Sequence, residues 1–115
     1  MLNMKLSFKV WLDNDGKAFG EGPYRLLKGI QRTGSLSQAT TEIGMSYRKA
    51  WSVLNATEKR LGFALVERKV GGTSGGGTQL TPAGHAFVAR YEQFRQEVSE
   101  TLDSLYHKHF PEKQS

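Results

Sequence analysis

Side chains able to bind nucleic acid recur at helical spacing between residues 46 and 59. Four of them are separated by 4, 3 and 4 residues and so share one face of a predicted helix: Arg48, Ser52, Asn55 and Lys59. The cationic side chains can donate to guanine and the amide can pair with adenine, so this face suits the major groove of duplex DNA. The alternative is an ordinary solvated helix face.

The position of each side chain along this helix predicts what it contacts. Residues near the start of a helix in the major groove normally reach the base edges. We expect base or adjacent phosphate contacts from the first residues of the segment: Ser46, Tyr47, Arg48, Lys49 and Ser52. Asn55 and Lys59 lie further along and are expected to meet the phosphate backbone. Trp51 is predicted to be a core residue, with a direct nucleic-acid contact as the alternative.

Two other segments carry groups that can bind phosphate. The first is the start of a shorter predicted helix, where hydroxyls and backbone N–H groups are available from Ser35, Ser37 and Gln38. Ser35 can also act simply as a helix cap. The second is a predicted β-hairpin that contributes Arg68, Lys69, Thr73 and Thr78. Its glycine-rich tract at 71–77 would let the backbone approach the sugar–phosphate chain closely.

Other chemistries find little support in these residues. The absence of cysteine excludes disulfides, thiolate zinc sites and cysteine nucleophiles. His107 and His109 are two residues apart and cannot form the i, i+4 metal pair of a helix. Residues 72–77 have the glycine spacing of a phosphate loop, but Thr78 stands where that loop needs lysine. We therefore expect no enzyme activity, no metal site and no cofactor.

The basic residues are concentrated in the first part of the chain. Residues 1–70 hold 12 Lys or Arg against 6 Asp or Glu, whereas residues 71–115 hold 4 against 5, within a net charge of +5. A basic part beside a nearly neutral part is typical of a polyanion-binding surface joined to an assembly element.

The elements that must position these residues follow from hydrophobic spacing and from helix caps. The 115 residues predict a single domain, 1–115, that is mainly α with small β. Residues 4–12 alternate as a strand does, and the turn at 13–16 predicts a hairpin. The predicted elements are a β-hairpin at 4–20, a helix at 22–34 with Pro23 at its first position, a helix-turn-helix at 35–62, a wing at 63–80 and a helix at 82–109.

The last predicted helix carries an apolar stripe that the small domain cannot cover alone. Its stripe is spaced 4-3-4-4-3, close to a coiled-coil seam: Phe87, Tyr91, Phe94, Val98, Leu102 and Leu105. A helix of this length extends about 42 Å. We expect these residues to form a homodimer; the alternative is that the helix folds back onto its own domain.

Five motifs occur in order along the chain: SLSQA at 35–39, GMSYRKAW at 44–51, LVER at 65–68, the glycine tract at 71–77 and LTPAG at 80–84. Together they resemble the N-terminal DNA-binding domain of the ModE family of molybdenum-dependent transcriptional regulators, which is similar to the winged helices of LysR-type regulators. The likeness covers about residues 22–106. It implies a winged helix-turn-helix homodimer whose long helices pair and whose recognition helices enter successive major grooves of a palindrome. In this family the molybdate-binding domains follow the long helix, so we expect no oxyanion to bind this chain directly.

No apolar run approaches the ~20 residues of a membrane span, and the alternating N-terminus does not resemble a signal peptide. We therefore expect a cytoplasmic protein that contacts no membrane. The leading hypothesis is a transcriptional regulator that binds palindromic duplex DNA. The alternatives are a non-specific architectural DNA binder and a protein-interaction module.

Overall fold

The computed structural model describes residues 4–69 and 77–111 and shows two small β-hairpins and four helices in these ranges. The elements are β1 (Leu12–Asp13), β2 (Lys17–Phe19), α1 (Glu21–Thr33), α2 (Leu36–Ile43), α3 (Tyr47–Leu61), β3 (Val66–Lys69), β4 (Gly77–Leu80) and α4 (Pro82–His109). Both hairpins are antiparallel. The predicted class, mainly α with small β, is confirmed.

Three helices begin at the caps that the sequence predicts. The side chains of Ser35, Ser46 and Thr81 accept hydrogen bonds from the backbone N–H three residues later. Each bond satisfies an N–H group that the first turn of a helix leaves without a partner. The start predicted for α1 was wrong, because the helix begins at Glu21 and Pro23 is its third residue. Proline is tolerated there because the N–H groups of a first turn have no partner within the helix.

The predicted strand at 4–12 was wrong over most of its length. Only Leu12–Asp13 pairs, with Lys17–Phe19, and residues 4–11, hereafter the N-terminal arm, have no regular secondary structure. Alternating side chains form a strand only where a second backbone is available for hydrogen bonding. Because α1 begins directly after the short β2, the return strand is too short to pair with residues 4–11. The arm is held near its end, where the Tyr91 hydroxyl donates to the Val10 carbonyl at 3.0 Å.

The wing is also shorter than predicted, because β3 begins at Val66 and not at Phe63. Leu65 is fully buried and Phe63 packs edge-on against Phe87, with ring centroids 5.8 Å apart. These residues are used for core packing where the chain leaves α3, so they do not enter the ladder with β4.

The core lies where α1, α2, α3 and the start of α4 meet. Its largest fully buried side chains are Phe19, Leu26, Leu27, Ile30, Leu36, Leu54, Leu65 and Val88. Helical spacing in the sequence predicts a buried stripe of Leu26, Leu27 and Ile30 on α1, and all three are buried. The same spacing predicts buried side chains at Ile43 on α2 and at Val53 and Leu61 on α3, but these three are only half-buried.

Two residues assigned to the dimer stripe also pack against this core. Tyr91 is 3% exposed, and its ring centroid lies 4.8 Å from that of Phe19. Phe87 makes an edge contact with Phe19 at the same distance but is only half-buried. The β1–β2 hairpin thus covers Tyr91 within the same chain, contrary to the prediction for this residue, whereas the assignment of Phe87 to dimerisation stays a prediction.

A polar cluster joins α1 to the middle of α4. The Tyr24 hydroxyl donates to Glu92 Oε2 at 2.6 Å, and Lys28 Nζ lies 2.9 Å from the same oxygen. Burial and the hydrogen bond with Glu92 raise the pKa of Tyr24 to about 12. The hydrogen bonds from Tyr24 and Lys28 lower the pKa of Glu92.

None of the described helices could span a membrane.

Tyr24→Phe should lower the free energy of unfolding at pH 7 by about 0.5–1 kcal/mol, since the lost hydrogen bond is partly solvated. The pKa of Glu92 is depressed in the folded state. Its stabilising contribution is therefore present above the unfolded carboxyl value of about 4.3 and is lost as pH falls through the folded value. Urea denaturation should show the variant's deficit at pH 7 and a smaller deficit at pH 3. Tyr106→Phe is the control, and an equal deficit for Tyr24→Phe at both pH values would contradict this assignment.

Gly84→Ala should destabilise the protein by about 1–3 kcal/mol, because an added Cβ would overlap the backbone of Leu65. The Cβ would stand 3.1 Å from the Leu65 carbonyl carbon and closer still to its oxygen. This cost exceeds the ~1 kcal/mol by which alanine favours a helix over glycine. Gly22→Ala is the matched control, since no atom lies within 4 Å of its added Cβ. Urea denaturation showing both variants equally stable would contradict the close approach at Gly84.

Candidate nucleic-acid interface

The connection between α2 and α3 has the geometry of a helix-turn-helix. Gly44 ends α2 in the left-handed conformation at φ 73°, which lets the chain reverse within three residues. The Met45 N–H donates to the Thr40 carbonyl at 3.0 Å, and Ser46 then caps α3. These contacts hold α3 at a defined angle to α2.

The two faces of α3 separate as the sequence predicts. Ala50, Leu54 and Thr57 are buried. The predicted DNA-binding side chains of the helix are all exposed: Arg48, Lys49, Ser52, Asn55 and Lys59. This outer face is therefore open to a ligand as large as duplex DNA.

Tyr47 and Trp51 lie at the start of α3 and are partly open to solvent. Tyr47 is 52% exposed, and its ring meets that of Trp51 edge-on at 6.3 Å. Trp51 is half-buried and packs against the core on one side, so its predicted core role is confirmed in part. The rest of its surface lines a cleft.

This cleft, between the start of α2 and the wing, brings together predicted residues from three separate segments. It has a volume of about 490 Å³ and includes Ser35 and Ser37 from α2, Tyr47 from α3, and Arg68 and Thr78 from the wing. The Ser35 hydroxyl is already engaged, because it accepts the Gln38 N–H at 3.1 Å. The cleft thus places hydroxyl and guanidinium groups beside the exposed face of α3.

Not all of the predicted residues reach this cleft. Ser46 is exposed at the start of α3 and Gln38 in the first turn of α2, and Lys69 is exposed at the end of β3. Thr73 lies outside the described residues, as does most of the glycine tract. The cleft also contains two carboxylates that sequence reasoning did not assign, those of Glu58 and Glu67.

Glu58 binds the backbone at the beginning of the wing, a role that no local sequence motif predicts. Its carboxylate accepts the backbone N–H groups of Leu65 at 2.7 Å and Val66 at 3.2 Å. It therefore ties the beginning of the wing to the last turn of α3. These bonds satisfy the backbone donors of the residues at the entry to β3.

The far strand of the wing is fixed to the other end of the helix-turn-helix. The Thr78 N–H donates to the Gly34 carbonyl at 3.1 Å. Gly77 makes the approach possible, because a Cβ there would stand 2.6 Å from the same oxygen. This contact fixes β4 against the start of α2.

The N-terminal hairpin fixes the other end of α3. Asn14 Nδ2 donates to the Arg60 carbonyl at 2.8 Å, and the Arg60 guanidinium donates to the Asp15 carbonyl. Sequence reasoning missed Asn14 and Arg60, because a contact between a turn and a helix 46 residues away has no local signal.

Among the described residues, the cations of this surface form no ion pair. In the ranges 4–69 and 77–111, ion pairs form at Lys28, Arg32, Arg95 and His107. None of these includes a cation of α3 or of the wing strands. Across the same residues, no group of three or more His, Asp or Glu side chains could hold a metal ion.

A capped helix pair with a short glycine turn, followed by an antiparallel hairpin, defines a winged helix-turn-helix protein. The sequence pattern of the bacterial regulatory helix-turn-helix proteins, lysR family, matches residues 24–85. The chain therefore belongs to this family.

Curated relatives extend this result. The chain is 39% identical over 96 residues to the molybdenum-pterin-binding protein MopB of Rhodobacter capsulatus, which covers 84% of the chain and 36% of that protein. It is 39% identical over 98 residues to the molybdenum transport protein ModE of Azotobacter vinelandii, with the same coverage. It is 35% identical over 107 residues to the DNA-binding transcriptional dual regulator ModE of Escherichia coli K12, covering 91% of the chain and 37% of that protein. The chain thus spans a little over a third of the length of these relatives, and the predicted resemblance to ModE regulators is confirmed.

Among solved structures, the fold is similar to that of CbnR in the crystal structure of the complex between its DNA-binding domain and DNA. The TM-score is 0.60 at 22% identity, over 75% of this chain and 93% of that one. This similarity confirms the winged helix-turn-helix fold.

Proposed function

We propose that this chain is the DNA-binding domain of a ModE-type transcriptional regulator and that it binds a palindromic duplex as a homodimer. The observation that carries the proposal is the exposed basic face of α3, whose cations form no ion pair among the described residues, beside the cleft that contains Ser35, Ser37 and Arg68. A relative that is 35% identical is named as a DNA-binding transcriptional regulator. The names of other relatives refer to molybdenum, so we extend the proposal to molybdenum-related genes in the bacterial cytoplasm.

The proposed division of contacts follows from the position of each group. The first two turns of α3 carry Tyr47, Arg48, Lys49 and Ser52 toward the base edges in the major groove. Phosphate contacts come from the cleft and from the second half of α3, at Ser35, Ser37, Gln38, Asn55, Lys59, Arg68, Lys69 and Thr78. Phosphate contacts fix the register of the helix, and base contacts supply the sequence preference.

The dimer follows from the part of α4 that extends beyond the domain body. Phe94 is 46% and Leu105 is 49% exposed, whereas Val98 and Leu102 on the same stripe are half-buried. A row of apolar side chains this long is unfavourable in water, and a second copy offers an identical row to cover it.

We propose an antiparallel pairing of the two α4 helices. Paired helices lie only about 8–10 Å apart, whereas the smaller dimensions of the molecule are 29 and 22 Å. In each copy, α1, α2, α3 and the two hairpins form a body around the start of α4. If the two α4 helices were parallel, both bodies would lie at the same end of the pair and would collide. Antiparallel helices place the bodies at opposite ends, which suits two recognition helices about 34–36 Å apart in successive major grooves.

Arg48→Ala should weaken binding to the preferred palindrome by about 1–3 kcal/mol and relax the preference at one base pair. Lys59→Ala should weaken binding to all DNA sequences alike and reduce the slope of log affinity against log salt concentration by about one. Fluorescence anisotropy with selected genomic sites at several salt concentrations measures both effects, with Arg25→Ala on α1 as the control.

If selection recovers no shared motif, an architectural DNA binder replaces the specific regulator. Unchanged affinity after Arg48→Glu with Lys49→Glu would indicate a protein-interaction module.

Val98→Asp should raise the dimer dissociation constant at least about 100-fold, because it buries an unpaired carboxylate in the seam. Sedimentation velocity should show a monomer that keeps its circular dichroism spectrum and binds a half-site but not the full palindrome tightly. Glu100→Ala is the control, since residues two apart lie on opposite sides of a helix. A dimer that persists in Val98→Asp would exclude this seam.

A further inference from the structure

An open groove runs between the N-terminal arm and the middle of α4. Its floor and walls include Leu6 and Phe8 of the arm, Tyr24 of α1, and Glu92 and Ser99 of α4. Leu6 is 40% and Phe8 is 38% exposed. The arm lies outside residues 24–85, which match the family.

A partly exposed pair of aromatic side chains lies on the same side of α4, beyond the end of the groove. Tyr106 and Phe110 stack with ring centroids 5.5 Å apart, and Phe110 is 56% exposed. Glu92, Ser99 and Tyr106 are seven residues apart, so they share one side of the helix to within about 20° per step. The groove and the aromatic pair are therefore on the same flank of the apolar stripe.

The two-fold symmetry of an antiparallel pair then determines what lies beside the groove. The two-fold axis reverses the helix direction but keeps the same flank of both helices on the same side of the pair. We place the two-fold axis at the midpoint of the exposed part of the stripe, Phe94 to Leu105, which lies between Ser99 and Glu100. Tyr106 of one copy then stands level with about residue 93 of the other. The groove occupies that level, because its α4 lining runs from Glu92 to Ser99.

We propose that Tyr106 and Phe110 of one copy dock into the arm groove of a second copy, with Phe8 as the main apolar contact. This inference rests on the proposed antiparallel dimer and adds a second pair of contacts to it. The groove is lined by two cations and two anions, Lys9, Arg95, Glu21 and Glu92, and Lys9 can pair with Asp103, which precedes Tyr106 by one turn on the incoming helix. The arm thereby acts as part of the dimer interface, and its alternating apolar residues acquire a partner that the monomer does not supply.

The first test uses the absence of cysteine from the chain. Phe8→Cys and Tyr106→Cys are prepared as separate single variants and mixed, and a short bismaleimide is added. A covalent dimer should form in the mixture much faster than with either variant alone. Glu100→Cys in place of Tyr106→Cys is the control, because Glu100 lies on the face away from the seam. If the Phe8→Cys mixture with Tyr106→Cys reacts no faster than that with Glu100→Cys, the proposal is overturned.

The second test measures the energetic contribution of the contact. Tyr106→Ala with Phe110→Ala should raise the dimer dissociation constant roughly tenfold to hundredfold, the usual effect of losing buried aromatic anchors. Phe8→Ala should weaken the dimer as well, and adding it to the double variant should have little further effect because the shared contact is already lost. Fully additive effects would contradict the contact.

The two proposals fail in different ways. If the wild-type chain dimerises and Val98→Asp dissociates it, but the cross-link with Phe8 is absent, only the groove contact is wrong. If the wild-type chain is a monomer at the concentrations of the DNA assay, the dimer and the groove contact both fail.

Discussion

The fold depends on fixing α3 at both of its ends. At the start, the Gly44 turn and the Ser46 cap set the angle to α2. At the end, Glu58 binds the backbone that enters the wing, and Arg60 binds the turn of the N-terminal hairpin. A helix that reads bases must keep its side chains within a fraction of an ångström of their partners, and loops alone do not provide such precision. The wing and hairpin therefore act first as supports for α3 and only second as surfaces.

The helix α4 consists of two parts with different surroundings. Its first turns complete the core through Val88 and Tyr91, and the short β2 strand covers them with Phe19. The later turns present Phe94 and Leu105 to solvent. The rigid helix joins the two parts, so pairing of the later turns would fix the distance between two copies of α3. The polar cluster of Tyr24, Lys28 and Glu92 strengthens the junction where the helix leaves the body.

Much of this could be predicted from local sequence. The caps at Ser35, Ser46 and Thr81 and the glycine after each of the first three helices mark the helix ends through bonds within a few residues. The two faces of α3 follow from the period of the helix. The strand predicted at 4–12 was wrong because alternation describes a strand's faces and says nothing of a partner backbone. Tyr91 was misassigned for a related reason, since a heptad stripe does not reveal which part of it the chain's own hairpin covers.

The sequence by itself determined the starts of α2, α3 and α4, the family and the residue types of the exposed face of α3, because caps, periodicity and motifs are local properties. Only the tertiary structure decided which segments meet. It placed Ser35, Tyr47 and Arg68 around one cleft, gave Glu58 and Arg60 their supporting roles, and divided the apolar stripe of α4 between the core and solvent. These are contacts between residues far apart in the chain. Their formation depends on how whole elements pack, and no short stretch of sequence contains that information.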